Sequence, residues 1–395
     1  MIECSKYILI DKTEEYSMQL TKQQVNYCME CGVCTGSCPI SQDRLDFSPR
    51  QMIKKTIDQP EGDILQDHDL WSCLTCSRCS DRCPVKIDFP EFIRSYRIKA
   101  RTIKNVPRLN HNGMLQTIPE IQANFNKDNK IKQNRTAWAE NTGKFTDKGE
   151  YFYFVGCLPY FDVIFKYLDV PALKSAENIL KILNKIGIEP VISNDECCCG
   201  HDAYWSGDQD LFKTLAQKNI KAIKASGAKK VLFGCPEGYN MFKEVYPEYF
   251  ENMDFEIISI TKFFAEKLLQ TDIEFTPCSD SNVTYQDPCR LGRRSGIYEE
   301  PRQLINKIPE TLFREMEHNR ENAICCGTTA WMECSQCSKA MQTKRLNEAK
   351  QAKADTIITA CPKCQIHLTC AASSSDSGIK IMDIYSYLAE SMNIK

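Results

Sequence analysis

Short apolar runs alternate with segments of helical periodicity through the second half of the chain. Four runs of four or five residues are rich in β-branched and aromatic residues, which is typical of buried strands: 151–155, 230–233, 283–286 and 356–359. Apolar residues recur every three or four positions at 175–186, 211–225 and 339–353, which indicates amphipathic helices. Strands that alternate with helices predict parallel sheets covered by helices, an α/β fold.

The same half of the chain is an internal repeat. Residues 222–238 match residues 348–364, and residues 260–266 match residues 384–390. The order and spacing of these matches predict a duplicated domain. In each copy cysteines directly follow predicted strands, where α/β folds place their ligands: Cys157, Cys235, Cys289 and Cys361.

The first hundred residues have a different pattern. Ser48 followed by Pro49 is a helix-start signal, and Asp88 opens a second helix that is predicted to run to about Arg101. We therefore expect a helical module rather than a β-rich one. Residues 102–148 are rich in Asn, Lys and Thr, which predicts an irregular linker with short helices that crosses the surface.

Composition adds one informative number, 23 cysteines in 395 residues. In a short secreted chain such a count indicates disulfides, but here the chain is long and the cysteines form C-x-x-C runs, which favours metal ligation. The formal net charge of −2 predicts no nucleic-acid partner. We expect neither a signal peptide nor direct membrane insertion, since the start has no basic segment followed by an apolar one and no run of about 18 apolar residues occurs. A cytoplasmic protein is predicted, with any membrane association made through a partner subunit.

Two cysteine runs in the N-terminal module share one spacing. Each has three cysteines at intervals of three residues and a fourth, followed by proline, four residues later. This is the spacing of bacterial two-cluster ferredoxins, in which three thiolates of a run hold one [4Fe–4S] cube and the fourth reaches the other. We expect two such cubane clusters, one held by Cys28, Cys31, Cys34 and Cys83, the other by Cys73, Cys76, Cys79 and Cys38. Zinc is the alternative, and two matching runs disfavour it.

The N-terminal module resembles the C subunit of heterodisulfide reductase over residues 25–101. The shared features are Ser-Pro-Arg at 48–50, Leu-Trp-Ser-Cys at 70–73 and the arginine-bearing helix after the second run. The second repeat resembles the cysteine-rich "CCG" domain of the B and D subunits through its segments 287–293, 300–302, 325–327 and 360–364. The resemblance implies a catalytic non-cubane [4Fe–4S] cluster with five ligands: Cys289, Cys325, Cys326, Cys361 and Cys364.

The first repeat departs from this pattern. It has four of the cysteines, namely Cys157, Cys198, Cys199 and Cys235, but Gly238 stands where the fifth would be. Cys197 and His201 are candidate substitutes. Three interpretations stay open: a cluster with an altered ligand set, a zinc site, or a site that has lost its metal.

Further residues are weaker candidates. Arg290 and Arg293 either balance an anionic cluster or are ordinary surface arginines. The family often has His before Asp-Pro-Cys, whereas this chain has Gln286, so a proton donor inferred from that position does not transfer. His318 and His367 are candidate proton carriers. Cys334 and Cys337 are a candidate redox pair or incidental thiols, and plain thiols are expected at Cys4, Cys278 and Cys370.

These observations predict an α + α/β chain: a helical ferredoxin domain at 1–101, a linker at 102–148, a first CCG domain at 149–275 and a complete second one at 281–395. The resemblance implies an iron–sulfur subunit of a heterodisulfide reductase-like oxidoreductase, which passes electrons through the two cubanes to the non-cubane site that reduces a disulfide. The alternative is a relay between a flavoprotein and quinone or a bifurcating complex. No nucleotide-binding glycine motif occurs, so no flavin is expected in this chain. The expected partner in a hetero-oligomeric complex is a flavoprotein similar to the A subunit of heterodisulfide reductase, or a membrane cytochrome.

Overall fold

The computed structural model describes residues 25–125, 133–375 and 377–394. Cys4, the predicted lack of a signal peptide and residues 126–132 of the predicted linker lie outside these ranges. The described chain forms a helical module followed by two α/β units with all-parallel sheets, as predicted. Within the described ranges, no helix is both long enough and apolar enough to cross a bilayer.

The N-terminal module is helical throughout its described part. The Ser48 hydroxyl accepts a hydrogen bond from the backbone of Gln51, and Asp88 caps the last helix in the same way, so both predicted helix starts are confirmed. Trp71 and Phe92 are buried between the helices. The helices are α1 (Val33–Ser37), α2 (Pro39–Asp43), α3 (Pro49–Asp58), α4 (Glu61–Gln66), α5 (Asp69–Ser72), α6 (Arg78–Asp81) and α7 (Phe89–Thr102).

The segment predicted as a surface linker is partly buried against the first α/β unit. It contains a 3₁₀ turn, Asn110–Gly113, and helix α8, Met114–Asn124. Gln122 is 1% exposed and accepts a hydrogen bond from the backbone N–H of Cys198, and Arg135 forms a buried ion pair with Glu196. The expected surface course is therefore wrong for these residues. Their burial depends on polar contacts, which a pattern of apolar positions does not reveal.

The first α/β unit has a three-stranded parallel sheet in the order β1-β2-β3. Its strands are β1 (Tyr151–Phe154), β2 (Lys230–Phe233) and β3 (Glu256–Ser259). Its helices are α9 (Leu158–Ile164), α10 (Ala172–Lys185), α11 (His201–Trp205), α12 (Gln209–Ser226), α13 (Pro236–Asn240), α14 (Tyr246–Tyr249) and α15 (Ile260–Leu268), with a 3₁₀ turn at Lys166–Leu168 and a π-turn at Met241–Val245.

The second unit repeats this arrangement with one additional strand, in the order β5-β4-β6-β7. Its strands are β4 (Asn282–Gln286), β5 (Leu312–Phe313), β6 (Thr356–Thr359) and β7 (Lys380–Asp383). Its helices are α16 (Glu299–Asn306), α17 (Gln336–Gln351), α18 (Pro362–Ser373) and α19 (Ile384–Ser391), with a 3₁₀ turn at Arg320–Asn322. The predicted strands and helices are confirmed, whereas β3, β5 and β7 were not predicted.

Candidate metal centres

The structure gathers the eight cysteines of the N-terminal runs around two neighbouring cavities. Cys28, Cys31, Cys34 and Cys83 line the first, and Cys38, Cys73, Cys76 and Cys79 line the second. Cys79 also borders the first cavity. The fourth cysteine of each run therefore lies with the first three of the other run, which is the exchange expected for two-cluster ferredoxins.

The chemistry of the donors around the second cavity fits an anionic metal cluster. Burial raises the pKa of Cys38 to about 11 and that of Cys73 to about 12, so these thiols ionise at neutral pH only if a metal cation binds them. Arg78 is buried next to these cysteines, and its Nε and Nη1 atoms make no hydrogen bond to any described residue. Buried guanidinium groups without an anionic partner are costly, and a thiolate-ligated iron–sulfur cluster supplies that negative charge.

The five cysteines of the second repeat line a third cavity. Their thiols hydrogen-bond in one continuous series, Cys289 to Cys325 to Cys326 to Cys364 to Cys361. The thiols of Cys325 and Cys364 donate to Cys326 and lower its pKa to about 6. Cys361 caps the N-terminus of α18, where the helix dipole favours negative charge. This set of five soft donors fits a multinuclear iron site.

The loop that carries Cys289 is held by a buried ion pair. Arg302 donates two hydrogen bonds to Asp287, at 2.8 and 2.9 Å, and both side chains are 3% exposed. Gln286 donates to the backbone carbonyl of Ile324, immediately before Cys325. The motif segments at 287–293 and 300–302 are thus two sides of one contact, which positions Cys289 opposite the Cys-Cys pair.

The two candidate proton carriers have different positions. His367 lies in the wall of the five-cysteine site, with Nδ1 3.4 Å from Sγ of Cys326 and Nε2 2.6 Å from the Thr328 hydroxyl. Burial lowers the pKa of His367 to about 3, so the imidazole is neutral. His318 instead pairs with Glu348 at 2.8 Å, and it does not line the cavity.

Gly327 permits a close backbone approach, although the partner is a helix. Its φ is +101°, and a Cβ there would lie 2.7 Å from the carbonyl oxygen of Ser338 in α17. Any side chain at this position would separate α17 from the Cys-Cys loop.

The first repeat brings its four cysteines, Cys157, Cys198, Cys199 and Cys235, around a fourth cavity that is also lined by His201. His201 Nε2 is buried without a described hydrogen-bond partner, which makes it available as a donor. The other candidate substitute, Cys197, is not in the cavity wall: its Sγ lies 3.4 Å from Asn219 and 3.5 Å from the carbonyl of Leu215.

Two substitutions distinguish this cavity from its counterpart in the second repeat. A Cβ on Gly238 would lie 3.2 Å from the ring of Phe233, so aromatic bulk crowds the position of the fifth cysteine. Lys363 of the second repeat reaches in and forms ion pairs with Asp202, at 2.5 Å, and Glu237, at 2.8 Å. The ammonium group therefore neutralises the carboxylates that could otherwise have joined the thiolates as ligands.

The remaining cysteines do not line the four cavities. Cys334 is exposed and Cys337 is buried, so the candidate redox pair has one accessible thiol. Cys278 donates to the backbone of Tyr387, and Cys370 lies 3.1 Å from the ammonium of Lys339. The structure does not bring any of these thiols into a predicted ligand set.

Family models match the three modules of this chain. A 4Fe-4S dicluster domain matches residues 24–87. A cysteine-rich domain matches twice, at residues 151–243 and 283–369, one match for each α/β unit.

Curated relatives match across nearly the whole length. The D subunit of dihydromethanophenazine:CoB–CoM heterodisulfide reductase is 29% identical in Methanosarcina acetivorans and 27% in Methanosarcina barkeri, in both cases over 98% of each chain. The chain belongs to the family of iron–sulfur proteins that resemble the D subunit of heterodisulfide reductase. It carries the dicluster module and two CCG repeats, of which the first is degenerate.

Other relatives of this iron–sulfur oxidoreductase subunit have different names. The EtfAB:quinone oxidoreductase of Syntrophomonas wolfei is 28% identical over 62% of this chain and 34% of that protein. A crystal structure of a hypothetical protein from Helicobacter pylori aligns with 98% of this chain and 74% of its own, with a TM-score of 0.52 and 14% identity, which shows a shared fold.

Several residues around the sites of this family member were not predicted to matter. Arg302, Lys363 and Glu237 each complete a buried ion pair beside a cysteine set. The repeat offered one signal, because Glu237 and Lys363 are the residues two positions after the matched Cys235 and Cys361. A charge reversal at equivalent positions indicates that the two sites face each other.

Proposed function

We propose that this protein is the catalytic iron–sulfur subunit of a heterodisulfide reductase-like complex. The observation that carries the proposal is the single cavity formed by five hydrogen-bonded cysteine thiols, next to the cavity of the second cysteine run. Leu74, which lies between two cysteines of that run, lines both cavities. A one-electron relay would therefore end at a site with enough soft donors to hold several irons.

The predicted ligands follow the cavities. Two [4Fe–4S] cubanes would be held by the two ferredoxin-type sets and a non-cubane [4Fe–4S] group by the five-cysteine set. These groups would supply one-electron transfer and iron sites that accept sulfur from a disulfide. The chain's own contribution is to orient the thiolates through the Asp287–Arg302 pair and to exclude water from Cys325, Cys326, Cys361 and Cys364, each at most 6% exposed.

The order of the sites suggests where electrons enter. Cys31 of the first set is exposed, whereas the four cysteines of the second set are buried. The first set is thus the accessible end of the relay. We infer a hetero-oligomeric complex in which a flavoprotein or a cytochrome delivers electrons there, consistent with relatives that are named as subunits of reductases.

The test is EPR spectroscopy of the anaerobically purified protein, oxidised in the presence of candidate thiols. Disulfide chemistry predicts a paramagnetic signal that depends on the thiol and is lost in Cys361→Ser, while the ferredoxin-type signals persist. Cys278→Ser, which changes a thiol outside the sets, is the matched control. If no thiol-dependent signal forms although both ferredoxin-type signals are present, the protein does not cleave disulfides in this way.

A relay role without a substrate of its own is the second candidate. The observation that favours it is the first repeat, where Gly238 and the Lys363 ion pairs leave an incomplete ligand set. The EtfAB:quinone oxidoreductase relative agrees with such a role between a flavoprotein and quinone. For the first repeat itself, zinc or a cluster held by four cysteines with His201, and a site that binds no metal, remain the alternatives. Zinc and iron analysis of a Cys157→Ser/Cys235→Ser variant distinguishes them, because only a bound metal is lost.

A further inference from the structure

A series of hydrogen bonds joins the second cysteine run to the five-cysteine site. The backbone N–H of Thr75 donates to Sγ of Cys73 at 3.4 Å, and the Thr75 hydroxyl accepts from Nη2 of Arg290 at 2.7 Å. Arg290 directly follows Cys289, and both line the five-cysteine cavity. Thr75 is 0% exposed and Arg290 is 3% exposed, so this bridge is shielded from water.

Arg290 is held by an aromatic ring and not by a carboxylate. Its guanidinium carbon lies 4.4 Å from the ring centre of Trp205, and its Nη1 makes no hydrogen bond to a described residue. Arg294 lies over the same ring at 5.3 Å. Attraction between a guanidinium and the face of tryptophan is strongest where water is excluded, and Trp205 is 0% exposed.

Trp205 belongs to the first repeat, and its position is fixed relative to the second cysteine run. Its backbone carbonyl accepts from Nη1 of Arg97 at 2.9 Å, while Nη2 of the same arginine donates to the carbonyl of Cys73 at 2.8 Å. Two residues further on, Gly207 has φ +79°, and a Cβ there would lie 2.7 Å from the backbone nitrogen of Ile98 in α7. The first repeat is therefore packed directly on the ferredoxin-type module at the point where Trp205 emerges.

We propose that Trp205 is a positioning residue, which holds Arg290 as the bridge between the second ferredoxin-type site and the five-cysteine site. This inference rests on the proposed function, since the bridge affects electron transfer only if both cysteine sets hold redox centres. The step it serves is the transfer of single electrons, with no bond made or broken and no proton moved. The degenerate first repeat thus contributes a tryptophan to the catalytic site of the second repeat, whatever its own cavity binds.

The experiment compares four variants of the anaerobically loaded full chain. Trp205→Leu removes the ring, Trp205→Phe keeps an aromatic face, and Arg290→Met removes the bridge. Phe212→Leu is the matched control, because Phe212 is a fully buried aromatic residue of the first repeat that packs on Tyr204, Tyr246 and Tyr249. For each variant we would measure iron and sulfide content, the midpoint potential of each site by EPR-monitored titration without substrate, and the rate at which electrons reach the five-cysteine site by freeze-quench EPR.

We expect Trp205→Leu and Arg290→Met to slow that transfer about tenfold, the effect of losing one hydrogen bond made by a charged group. The double variant should be no slower than Arg290→Met, because both changes act through the same bridge. Trp205→Phe and Phe212→Leu should stay within about twofold of the unmodified chain. The inference is overturned if Trp205→Leu leaves both the rate and the potentials unchanged, or if Phe212→Leu has an equal effect. If the unmodified chain shows both centres but no response to a disulfide, the proposed function fails while the potentials still test the bridge.

Discussion

The ammonium group of Lys363 lies 2.8 Å from a carboxylate oxygen of Glu237, and these residues occupy equivalent positions in the two repeats. The pair lies between the two cysteine sets, since both residues line both cavities. The side chain of Lys363 is 7% exposed and that of Glu237 is 13% exposed. The duplicated domain thus uses opposite charges at one position to join its two copies.

Removing the cation from this pair should destabilise the interface of the repeats. Lys363→Met would leave the carboxylates of Asp202 and Glu237 buried without a partner, and we expect a loss of about 3–5 kcal/mol in the free energy of unfolding. Urea unfolding under anaerobic conditions measures it. Lys262→Met, which breaks an exposed pair with Glu266, is the control and should cost less than about 1 kcal/mol. A loss as small as that of the control would show that the pair does not hold the repeats together.

The Asp287–Arg302 pair should be required for the five-cysteine site and not for the ferredoxin-type sites. In Asp287→Asn one charge of a buried pair is lost, so the loop that carries Cys289 loses its anchor. We expect the variant to lose about four irons per chain and to retain about eight. Iron and sulfide analysis checks this, with Glu299→Gln on the exposed pair with Arg320 as control. A full iron content in Asp287→Asn would contradict the assigned role of the pair.

Glu91 should make the contact between α7 and the first repeat sensitive to acid. Although burial raises the pKa of Glu91, the charge of Arg94 and hydrogen bonds from Arg94 and Tyr204 outweigh it, and the pKa lies below its ordinary value of 4.5. Because the folded state favours the ionised form, the stabilisation is present above pH 4.5 and is lost as the pH falls below that value. We therefore expect Glu91→Gln to be less stable than the unmodified chain at pH 7, with a difference that shrinks as the pH falls below 4.5. Equal differences at both pH values would refute the assignment.

Restoring the fifth cysteine of the first repeat should fail for steric reasons. In Gly238→Cys the new Cβ would lie 3.2 Å from the Phe233 ring, and we expect overpacking to cost about 1–3 kcal/mol. Phe233→Thr, which copies Thr359 of the second repeat, should relieve most of that cost in the double variant. Gly62→Cys, where no atom lies within 4 Å of the added Cβ, is the control for the substitution itself. If Gly238→Cys alone is as stable as Gly62→Cys, the crowding has no energetic effect.

Much of the fold was predictable because local patterns and the repeat agree. The strands Lys230–Phe233 and Thr356–Thr359 have the predicted bounds, and the predicted helices are present. Strands β3 and β7 were missed although each directly precedes a repeated segment, at Ile260 and Ile384. Each is only four residues long and has two partly exposed residues at its centre, so the apolar signal is weak.

The contacts between modules could not be predicted in the same way. Thr75, Trp205 and Arg290 are separated by 130 residues or fewer from one neighbour to the next, and nothing in their local sequence specifies a shared site. Ligand cysteines are recognisable because spacing follows from the geometry of the metal site. A buried arginine over a tryptophan has no such spacing, and it becomes visible only when the modules are packed together.

The measurement that tests the central claim most directly is the metal and sulfide content of the anaerobically prepared chain, intact and as Cys364→Ser. If the thiolates bind iron as proposed, the intact chain holds about twelve irons with a similar amount of inorganic sulfide, and Cys364→Ser loses about four of each. A chain that holds fewer than about eight irons and no sulfide, even after reconstitution with iron and sulfide, would contradict the account.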